Sequence, residues 1–221
     1  MRPLVLVRPE PAASDSAARA EALGLTVIRA PLFELQRVAW RVPDLDPFDG
    51  LLLTSANAVL LGGPKLERLR RLPVHAVGKA TAEAARAAGF DVTATGDAGA
   101  DRLLGSIEPD LRLLHLCGAD RRETSAARQE ITAVVVYSAR AAANPDLRGV
   151  QGSVALIHSP RAGRRFAELV DDRGNISIAA ISATAAEAVG NGWKEVAVAE
   201  QPSDDALLAL AARLCEKPDP K

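Results

Sequence analysis

The 221-residue sequence is poor in aromatic side chains, sulfur and imidazole. It contains seven aromatic residues (3%), two cysteines, one methionine and three histidines. So few aromatics, with 27 basic against 28 acidic residues, give neither a basic surface nor a base-stacking platform, which argues against nucleic-acid binding. Cys117 and Cys215 lie far apart, and His75, His115 and His158 occur singly. This spacing favours neither a disulfide framework nor a zinc site.

Long hydrophobic runs are also missing. No window approaches the 18 or so consecutive apolar residues of a spanning helix, and Arg8 interrupts the apolar start after Val7. An apolar stretch this short is not a secretory signal. We therefore expect a soluble, cytoplasmic protein.

The sequence lacks the common cofactor and nucleophile motifs. No GxGxxG follows the first apolar run, and neither GxxxxGK[ST] nor GxSxG is present. Dinucleotide binding, P-loop phosphoryl transfer and the hydrolase elbow therefore have no support, and we expect no cofactor and no metal. Ser, His and Asp, or Cys and His, could still assemble in space into a catalytic set, but no spacing marks one.

Short aliphatic runs alternate with Ala-rich amphipathic stretches of about ten residues, a pattern typical of βαβ units and a parallel sheet. The predicted fold class is therefore α/β. Thr81 with Glu83 predicts the start of a helix that ends at Gly89, and Ser203 with Asp204 opens the last helix. The predicted strands are Leu4–Val7, Thr26–Arg29, Gly50–Leu53, Val74–Val77, Leu113–Cys117, Ala133–Tyr137, Val154–His158, Ile178–Ile181 and Val196–Val198.

An internal repeat at an offset of about 103 to 109 residues indicates two homologous lobes. The succession LVLV, SAAR, TVIRA from Leu4 is matched by LLHL, SAAR, AVVVYSA from Leu113, where the second SAAR begins at Ser125. Likewise LLLTSANA, TAEAARAAGF, DRLL from Leu51 is matched by ALIHSPRA, TAAEAVGNGW, DALL from Ala155. Ala-rich low complexity is the alternative explanation of this match.

Turns rich in hydroxyls and small residues follow several predicted strands. In a doubly wound sheet such turns lie at the carboxyl ends of the strands, where helix N–H groups and the helix dipole favour anions. The alternative is simple helix capping, which Ser and Thr perform without any ligand. Nearby arginines suit carboxylates. The candidate binding residues are Arg8, Thr54, Ser55, Asn57, Gly78, Lys79, Thr81, Ser159, Arg161, Ser182 and Thr184.

Tyr137, the only tyrosine, stands at the end of a predicted strand, before an extended connector. That location predicts a residue facing a cleft between the lobes. The alternative is a packing residue with its hydroxyl in water.

The order and spacing of VLVRP, TSANAV, AVGKATAEAARAAGF, YSA, IHSPRAGRRFAEL, ISATAAEA and QPSDDALLALAARL resemble the uroporphyrinogen-III synthase family over nearly the whole chain. The resemblance implies two flavodoxin-like, doubly wound parallel-sheet lobes joined by two extended linkers. One lobe is discontinuous, residues 1–33 with 141–221, and the other is 39–133. The linkers are 34–38 and 134–140, within stretches that look like extended connectors rather than paired strands.

The resemblance also implies a reaction. It is the cyclisation of hydroxymethylbilane, a linear tetrapyrrole with eight carboxylates, to uroporphyrinogen III, with loss of water and inversion of the last pyrrole ring. No cofactor takes part, and the partner is this small molecule, not nucleic acid or membrane. Tyr137 matches the family's tyrosine and becomes the candidate proton donor, while Thr54, Thr81, Ser159 and Thr184 match its turn hydroxyls. We expect a monomer.

Two other functions remain open. Two α/β lobes around a cleft are also the architecture of non-catalytic modules that bind a polyanionic small molecule, and a fold does not fix function. A hydrolase or a sugar-transferring enzyme is the third reading.

Overall fold

The computed structural model describes residues 1–96, 99–121 and 128–216, which divide into two compact units. Unit 1 comprises Met1–Glu34 with Arg140–Lys221, and unit 2 comprises Leu35–Ala139. The chain therefore passes between the units twice, at 34/35 and at 139/140. Both positions fall inside the segments 34–38 and 134–140 that the resemblance marks as linkers. Ser125, which carries part of the predicted repeat, lies outside the described residues.

The described residues form eleven strands, seven α-helices and a 3₁₀ helix at Pro64–Leu69. In chain order the strands and α-helices are β1 (Leu4–Leu6), α1 (Ala12–Ala22), β2 (Val27–Arg29), β3 (Phe33–Arg37), β4 (Gly50–Leu53), α2 (Ala56–Gly62), β5 (Val74–Val77), α3 (Lys79–Ala87), β6 (Val92–Gly96), α4 (Ala100–Ser106), β7 (Arg112–Gly118), β8 (Glu130–Ala141), β9 (Val154–Ile157), α5 (Pro160–Leu169), β10 (Ser177–Ala180), α6 (Ala183–Ala188), β11 (Glu195–Val198) and α7 (Asp204–Glu216).

Unit 1 contains a parallel sheet of five strands in the order β11-β10-β9-β1-β2. Numbered within the unit, this is the order 2-1-3-4-5 of flavodoxin-like folds. The strand β1 is the run LVL, in which every residue is fully buried, as is usual for a parallel strand covered by helices on both faces. Around it lies a core of aliphatic side chains from β9, α1 and α7.

Unit 2 repeats this arrangement with a shifted starting point. Its sheet has the order β3-β8-β7-β4-β5-β6. The five strands β8-β7-β4-β5-β6 correspond in order to β2-β1-β9-β10-β11 of unit 1, as the internal repeat predicts. The chain enters unit 2 at the equivalent of the third strand, so the first two equivalents come last. The predicted class of two flavodoxin-like, doubly wound lobes is confirmed.

Two cores cover the faces of the unit 2 sheet, and strand alternation decides which residues enter each. Leu51, Leu53, Leu114 and Leu116 belong to a large cluster with α2 and α3 residues. Leu52 and Leu113 point to the other face and pack with residues of α4. The carboxyl ends of the central strands are thereby held on a rigid scaffold.

Three details differ from the sequence analysis. The predicted connectors are extended, but they belong to β3 and β8, which are neighbours in the unit 2 sheet. The sequence FELQR is largely polar, so β3 was not predicted as a strand. The strand β6 was missed as well, because VTATG has no apolar run. The helix α3 begins at Lys79 behind Gly78, not at Thr81, because Gly78 takes the positive φ of +85° needed there.

Across the described ranges, the helices are all too short or too polar to span a bilayer.

Candidate functional site

The candidate residues gather at the carboxyl ends of both sheets. In a flavodoxin-like sheet, ligands bind where the strand order reverses, which is between β1 and β9 in unit 1 and between β7 and β4 in unit 2. We call these regions the first edge and the second edge. The first edge comprises Arg8, Ser16, His158, Ser159, Ser182, Thr184 and Asp204. The second edge comprises Thr54, Ser55, Gly78, His115, Gly118 and Tyr137.

The first edge is organised by Asp204, the first residue of α7. Its Oδ1 accepts a hydrogen bond from Arg8 Nη1 at 3.0 Å and lies 2.7 Å from His158 Nε2. Its Oδ2 accepts from the Ser16 hydroxyl at 2.8 Å and pairs with Arg19. A carboxylate at a helix N-terminus is favoured by the dipole, and here it also joins three separate elements.

Arg8, a predicted binding residue, is therefore already held by protein groups. Its Nη1 also donates to Ser16 Oγ at 3.0 Å, and the side chain is 26% exposed. Burial, together with a smaller effect of the Arg8 guanidinium, lowers the pKa of His158 to about 3. His158 is thus neutral near pH 7 and donates its Nε2 hydrogen to Asp204. The first edge presents arginines around one partly exposed carboxylate, that of Asp204.

Three serines in the predicted turns are N-caps. Ser55 Oγ accepts from Asn57 N at 3.2 Å, Ser159 Oγ from Ala162 N at 3.1 Å, and Ser182 Oγ from Ala185 N at 3.3 Å. Each serine therefore satisfies one of the free N–H groups at the start of α2, α5 or α6. Capping accounts for these positions, and a ligand at either edge would meet the remaining N–H groups of the first turns.

Other predicted residues of unit 1 lie near these caps. Thr184 is exposed, and its Oγ1 is 3.0 Å from Ser182 Oγ. The Arg161 guanidinium lies 4.4 Å from the centroid of the Phe33 ring, a cation–π arrangement. That contact orients the Arg161 side chain over an aromatic face.

At the second edge Thr54 pairs with a histidine. Its Oγ1 lies 3.0 Å from Nε2 of His115 on the neighbouring strand β7. His115 is 3% exposed, and burial lowers its pKa to about 4, with a smaller contribution from Arg121. The imidazole is thus neutral near pH 7, and it orients the Thr54 hydroxyl.

The turn after β5 presents backbone more than side chains. Gly78 precedes α3, and space is open where a Cβ would stand. Lys79 is exposed, with Nζ 3.9 Å from Glu83 Oε1. Thr81, in contrast, is 5% exposed and lies on the buried side of α3. Of the predicted hydroxyls, Thr81 is the one turned into the protein.

Tyr137 lies opposite Gly118 of β7, at the carboxyl end of that strand. It is half-buried and packs on the core of unit 2. It is not at the end of its strand as predicted, because β8 continues to Ala141. Tyr137 therefore shares the second edge with Thr54 and His115. His115 is on the neighbouring strand β7, and Thr54 follows β4, two strands away, which corresponds to roughly 10 Å between strand axes.

Sequence analysis missed Asp204, Ser16 and His115 as site residues. The sequence indicates Asp204 only as a residue at the start of the last helix. Its hydrogen bond to Arg8 joins residues 196 positions apart, so no local pattern indicates it. For His115, the one feature of the sequence that could have indicated a site residue is a lone histidine inside an apolar strand. Among the described residues, no group of three or more His, Cys, Asp or Glu side chains is arranged to hold a metal ion.

Fold and site together define a class: proteins of two flavodoxin-like α/β units whose strand-end turns are lined by hydroxyls, helix N-termini and arginines. The family model described as uroporphyrinogen-III synthase HemD matches residues 14–209. The chain belongs to the uroporphyrinogen-III synthase family.

Relatives agree with this assignment. A uroporphyrinogen-III synthase of Chlorobaculum parvum is 35% identical over 92 residues, a match that covers 38% of this chain and only 37% of that protein. The crystal structure of uroporphyrinogen-III synthetase from Helicobacter pylori 26695 is similar with a TM-score of 0.67 and 21% identity, covering 97% of this chain and 100% of that one. A mutant uroporphyrinogen III synthase from Thermus thermophilus gives a TM-score of 0.53 and 17% identity, covering 98% and 100%. At such identities the two structures show the fold alone.

Proposed function

We propose that this chain is a uroporphyrinogen-III synthase, which cyclises hydroxymethylbilane to uroporphyrinogen III with loss of water and inversion of the last pyrrole ring. The observation that carries the proposal is the family match over residues 14–209. The chemistry of the two edges is compatible with it, since a substrate with eight carboxylates needs many anion-binding groups.

The binding groups proposed here are backbone N–H groups and arginines rather than a single charged pocket. The first turns of α5 and α6 in unit 1 and of α2 and α3 in unit 2 are directed to the carboxyl edges of their sheets, and helix N-termini favour carboxylates. Arg8 adds charge at the first edge, where Asp204 orients it, and Arg161 adds charge in the first turn of α5, where it lies over the Phe33 ring. Contacts at several points along the chain of pyrroles would hold it in a folded geometry.

Catalysis then follows mainly from orientation. The free bilane closes spontaneously to the uninverted isomer, so the enzyme has to favour attack through the substituted carbon of the last ring, by way of a spiro intermediate. Holding reacting atoms in a near-attack geometry is worth several orders of magnitude in rate.

Tyr137 is proposed to assist the first bond cleavage. Its hydroxyl donates a proton to the departing hydroxyl of the bilane, the C–O bond breaks, and water leaves. The cationic tetrapyrrole loses a proton after the C–C bonds have rearranged, which restores the phenol. General acid catalysis of this kind contributes about 10²- to 10⁴-fold.

The test is product analysis. Purified protein without added metal or nucleotide is incubated with hydroxymethylbilane, the products are oxidised, and the type I and type III isomers are separated. We expect mainly type III, formed faster than the spontaneous type I product of a protein-free control. If only the type I isomer forms, at the spontaneous rate, the proposal that the chain is a synthase is wrong. The alternative is then a non-catalytic binding module, and equilibrium dialysis would show whether the protein retains the tetrapyrrole.

We also propose that the chain acts in the cytoplasm. Cys117 and Cys215 are both buried free thiols, as is common where the compartment keeps cysteine reduced. That the protein works as a monomer stays a prediction, and sedimentation of the purified protein tests it.

A further inference from the structure

The pairing of β7 with β8 contains an irregularity beside Tyr137. Leu116 is paired with Val134 and Cys117 with Val135, but the next partner of β7, Gly118, is paired with Tyr137. Val136 is therefore an extra residue in β8. The ladder continues past it, since Ala119 N donates to Tyr137 O at 2.9 Å. One unpaired residue in one strand is a β-bulge, a feature that redirects the side chains after it.

The bulge changes the face of the sheet on which Tyr137 lies. Val134 and Val136 alternate regularly and contact the core that contains Leu114 and Leu116. Continued alternation would place Tyr137 on the opposite face, because a slip of one residue reverses every side chain. Instead Tyr137 packs against the same core as Val136.

Gly118 provides the space into which the Tyr137 ring fits. A Cβ at Gly118 would stand 2.8 Å from both Cε2 and Cζ of Tyr137, and 3.0 Å from its hydroxyl oxygen. Distances below 3.0 Å between such atoms require something to move, so any other residue at 118 would displace the phenol end of the ring. Gly118 has an ordinary φ, which means that space, and not backbone conformation, is what demands glycine here.

From these observations we infer that Gly118 and the bulge at Val136 together position Tyr137, and that Gly118 fixes the place of its hydroxyl. The bulge selects the face of the sheet, and the missing side chain of Gly118 selects how far the phenol projects from it. This inference rests on the proposed function of Tyr137 as proton donor. It assigns to Gly118 and Val136 a role in the rate of the proton transfer, through the position of the Tyr137 hydroxyl.

The first experiment is a double-mutant cycle of Gly118→Ala and Tyr137→Phe, measured as kcat, KM and the ratio of type III to type I product. A displacement of the phenol of about 1 Å costs on the order of 10²-fold in rate. We expect Gly118→Ala to lower kcat by about 10- to 100-fold with little change in KM. In the Tyr137→Phe background it should have little further effect on kcat, because the hydroxyl that it displaces is gone. Gly105→Ala is the matched control, since a Cβ there meets nothing within 4 Å.

Non-additivity separates positioning from damage to the fold. If Gly118→Ala lowers kcat by the same factor with and without the Tyr137 hydroxyl, Gly118 is structural and the inference is wrong. If Tyr137→Phe is fully active, the proton-donor role is wrong. If the parent protein makes no type III product, the proposed function itself is wrong. Failure of the inference, of the proton-donor role and of the proposed function can therefore be distinguished by these measurements.

A second measurement does not depend on activity or on the stability of a variant. Because the chain has a single tyrosine, its ring gives one set of NMR signals. We expect nuclear Overhauser contacts between the Gly118 α-protons and the Tyr137 ring in the unmodified protein. Gly118→Ala should shift the ring signals, whereas Gly105→Ala should not. Absence of the contacts in the unmodified protein would overturn the inference.

Discussion

At the scale of single residues, Tyr137 carries the most specific expectation. Tyr137→Phe removes one hydroxyl and keeps the ring that packs on the core of unit 2. If the hydroxyl donates a proton, the rate of type III formation should fall by at most about 10²- to 10⁴-fold. Binding and orientation remain, so some type III product should persist. Single-turnover kinetics measure the rate, and unchanged turnover with unchanged thermal stability would assign Tyr137 to packing.

His115 predicts a pH dependence of stability. Its pKa in the folded protein is about 4, mainly because it is buried, and in the unfolded chain it has the ordinary value near 6.5. Between these values the unfolded state binds a proton that the folded state does not. The free energy of unfolding therefore falls as the pH falls through this window, and the contribution of His115 is complete above about pH 6.5.

Replacement of the imidazole isolates this contribution. His115→Gln removes the titrating group and keeps a hydrogen-bonding side chain near Thr54. The stability lost between about pH 7 and about pH 4.5 should be smaller in the variant by about 2 to 3 kcal/mol. Urea unfolding at both pH values measures it. Only the difference between the two pH values is used, because His158 and His75 titrate in both proteins. An equal loss in both proteins would contradict the prediction.

At the scale of secondary-structure elements, the start of α7 is anchored by one carboxylate. Asp204 accepts hydrogen bonds or forms ion pairs with Arg8, Ser16 and Arg19, whereas the next residue, Asp205, is 86% exposed and, within the described part of the chain, pairs with Arg19. We expect Asp204→Asn to lower the free energy of unfolding by about 1 to 3 kcal/mol. Asp205→Asn, the matched control, should change it by less than about 0.5 kcal/mol. Equal effects in denaturant unfolding would show that the network does not stabilise the helix.

The N-cap serines allow capping and ligand binding to be separated. Ser159→Ala removes the cap of α5 and should cost about 1 kcal/mol of stability. Ser159→Asp keeps a capping oxygen but adds a negative charge where the proposed substrate places a carboxylate. The Asp variant should therefore be as stable as the parent protein and should bind uroporphyrinogen III more weakly. Thermal unfolding and titration calorimetry check the two halves, and unaltered affinity would mean that this cap serves the helix alone.

Strands and helices were predictable where their own residues form a recognisable pattern, such as an apolar run. Apolar runs such as LLL in β4 and VALI in β9 are buried on both faces, so hydrophobicity marks them directly. The short β6 alternates half-buried and exposed residues at the edge of the sheet and gives no such run. In the turns after β4 and β9, Ser55 and Ser159 cap α2 and α5, which is the alternative that the sequence analysis gives for these hydroxyls.

Contacts between residues that are distant in the sequence could not be predicted. Thr54 was selected for its place after a strand, but its contact with His115 spans 61 positions and depends on β4 and β7 being neighbours. Without the sheet order, nothing couples these two residues. The bulge at Val136 is equally hidden, because it exists only as a mismatch between two strands.

At the scale of the whole molecule, the proposed function assigns carboxylate-binding N–H groups to each of the two units. Uroporphyrinogen III should slow amide hydrogen exchange at the first turns of α2 in unit 2 and of α5 and α6 in unit 1, since those N–H groups are the proposed carboxylate ligands. Exchange followed by mass spectrometry on the free and ligand-saturated protein measures this. The exposed outer strand β11 is an internal reference that should not change. Unchanged exchange at all of these turns would contradict their proposed role as carboxylate ligands.

The division of unit 1 into two segments also determines the order in which the two units complete their strands during translation. Unit 2 is contiguous, so all its strands have been made once the ribosome has passed residue 141, where β8 ends. At that moment unit 1 possesses only β1 and β2, because β9 to β11 have not yet been translated. Leu4 has to wait for Val154, its partner 150 residues later, and domains fold as units once their residues are present. At that stage every strand of unit 2 has been made while unit 1 still lacks three of its five, so unit 2 can complete its fold first.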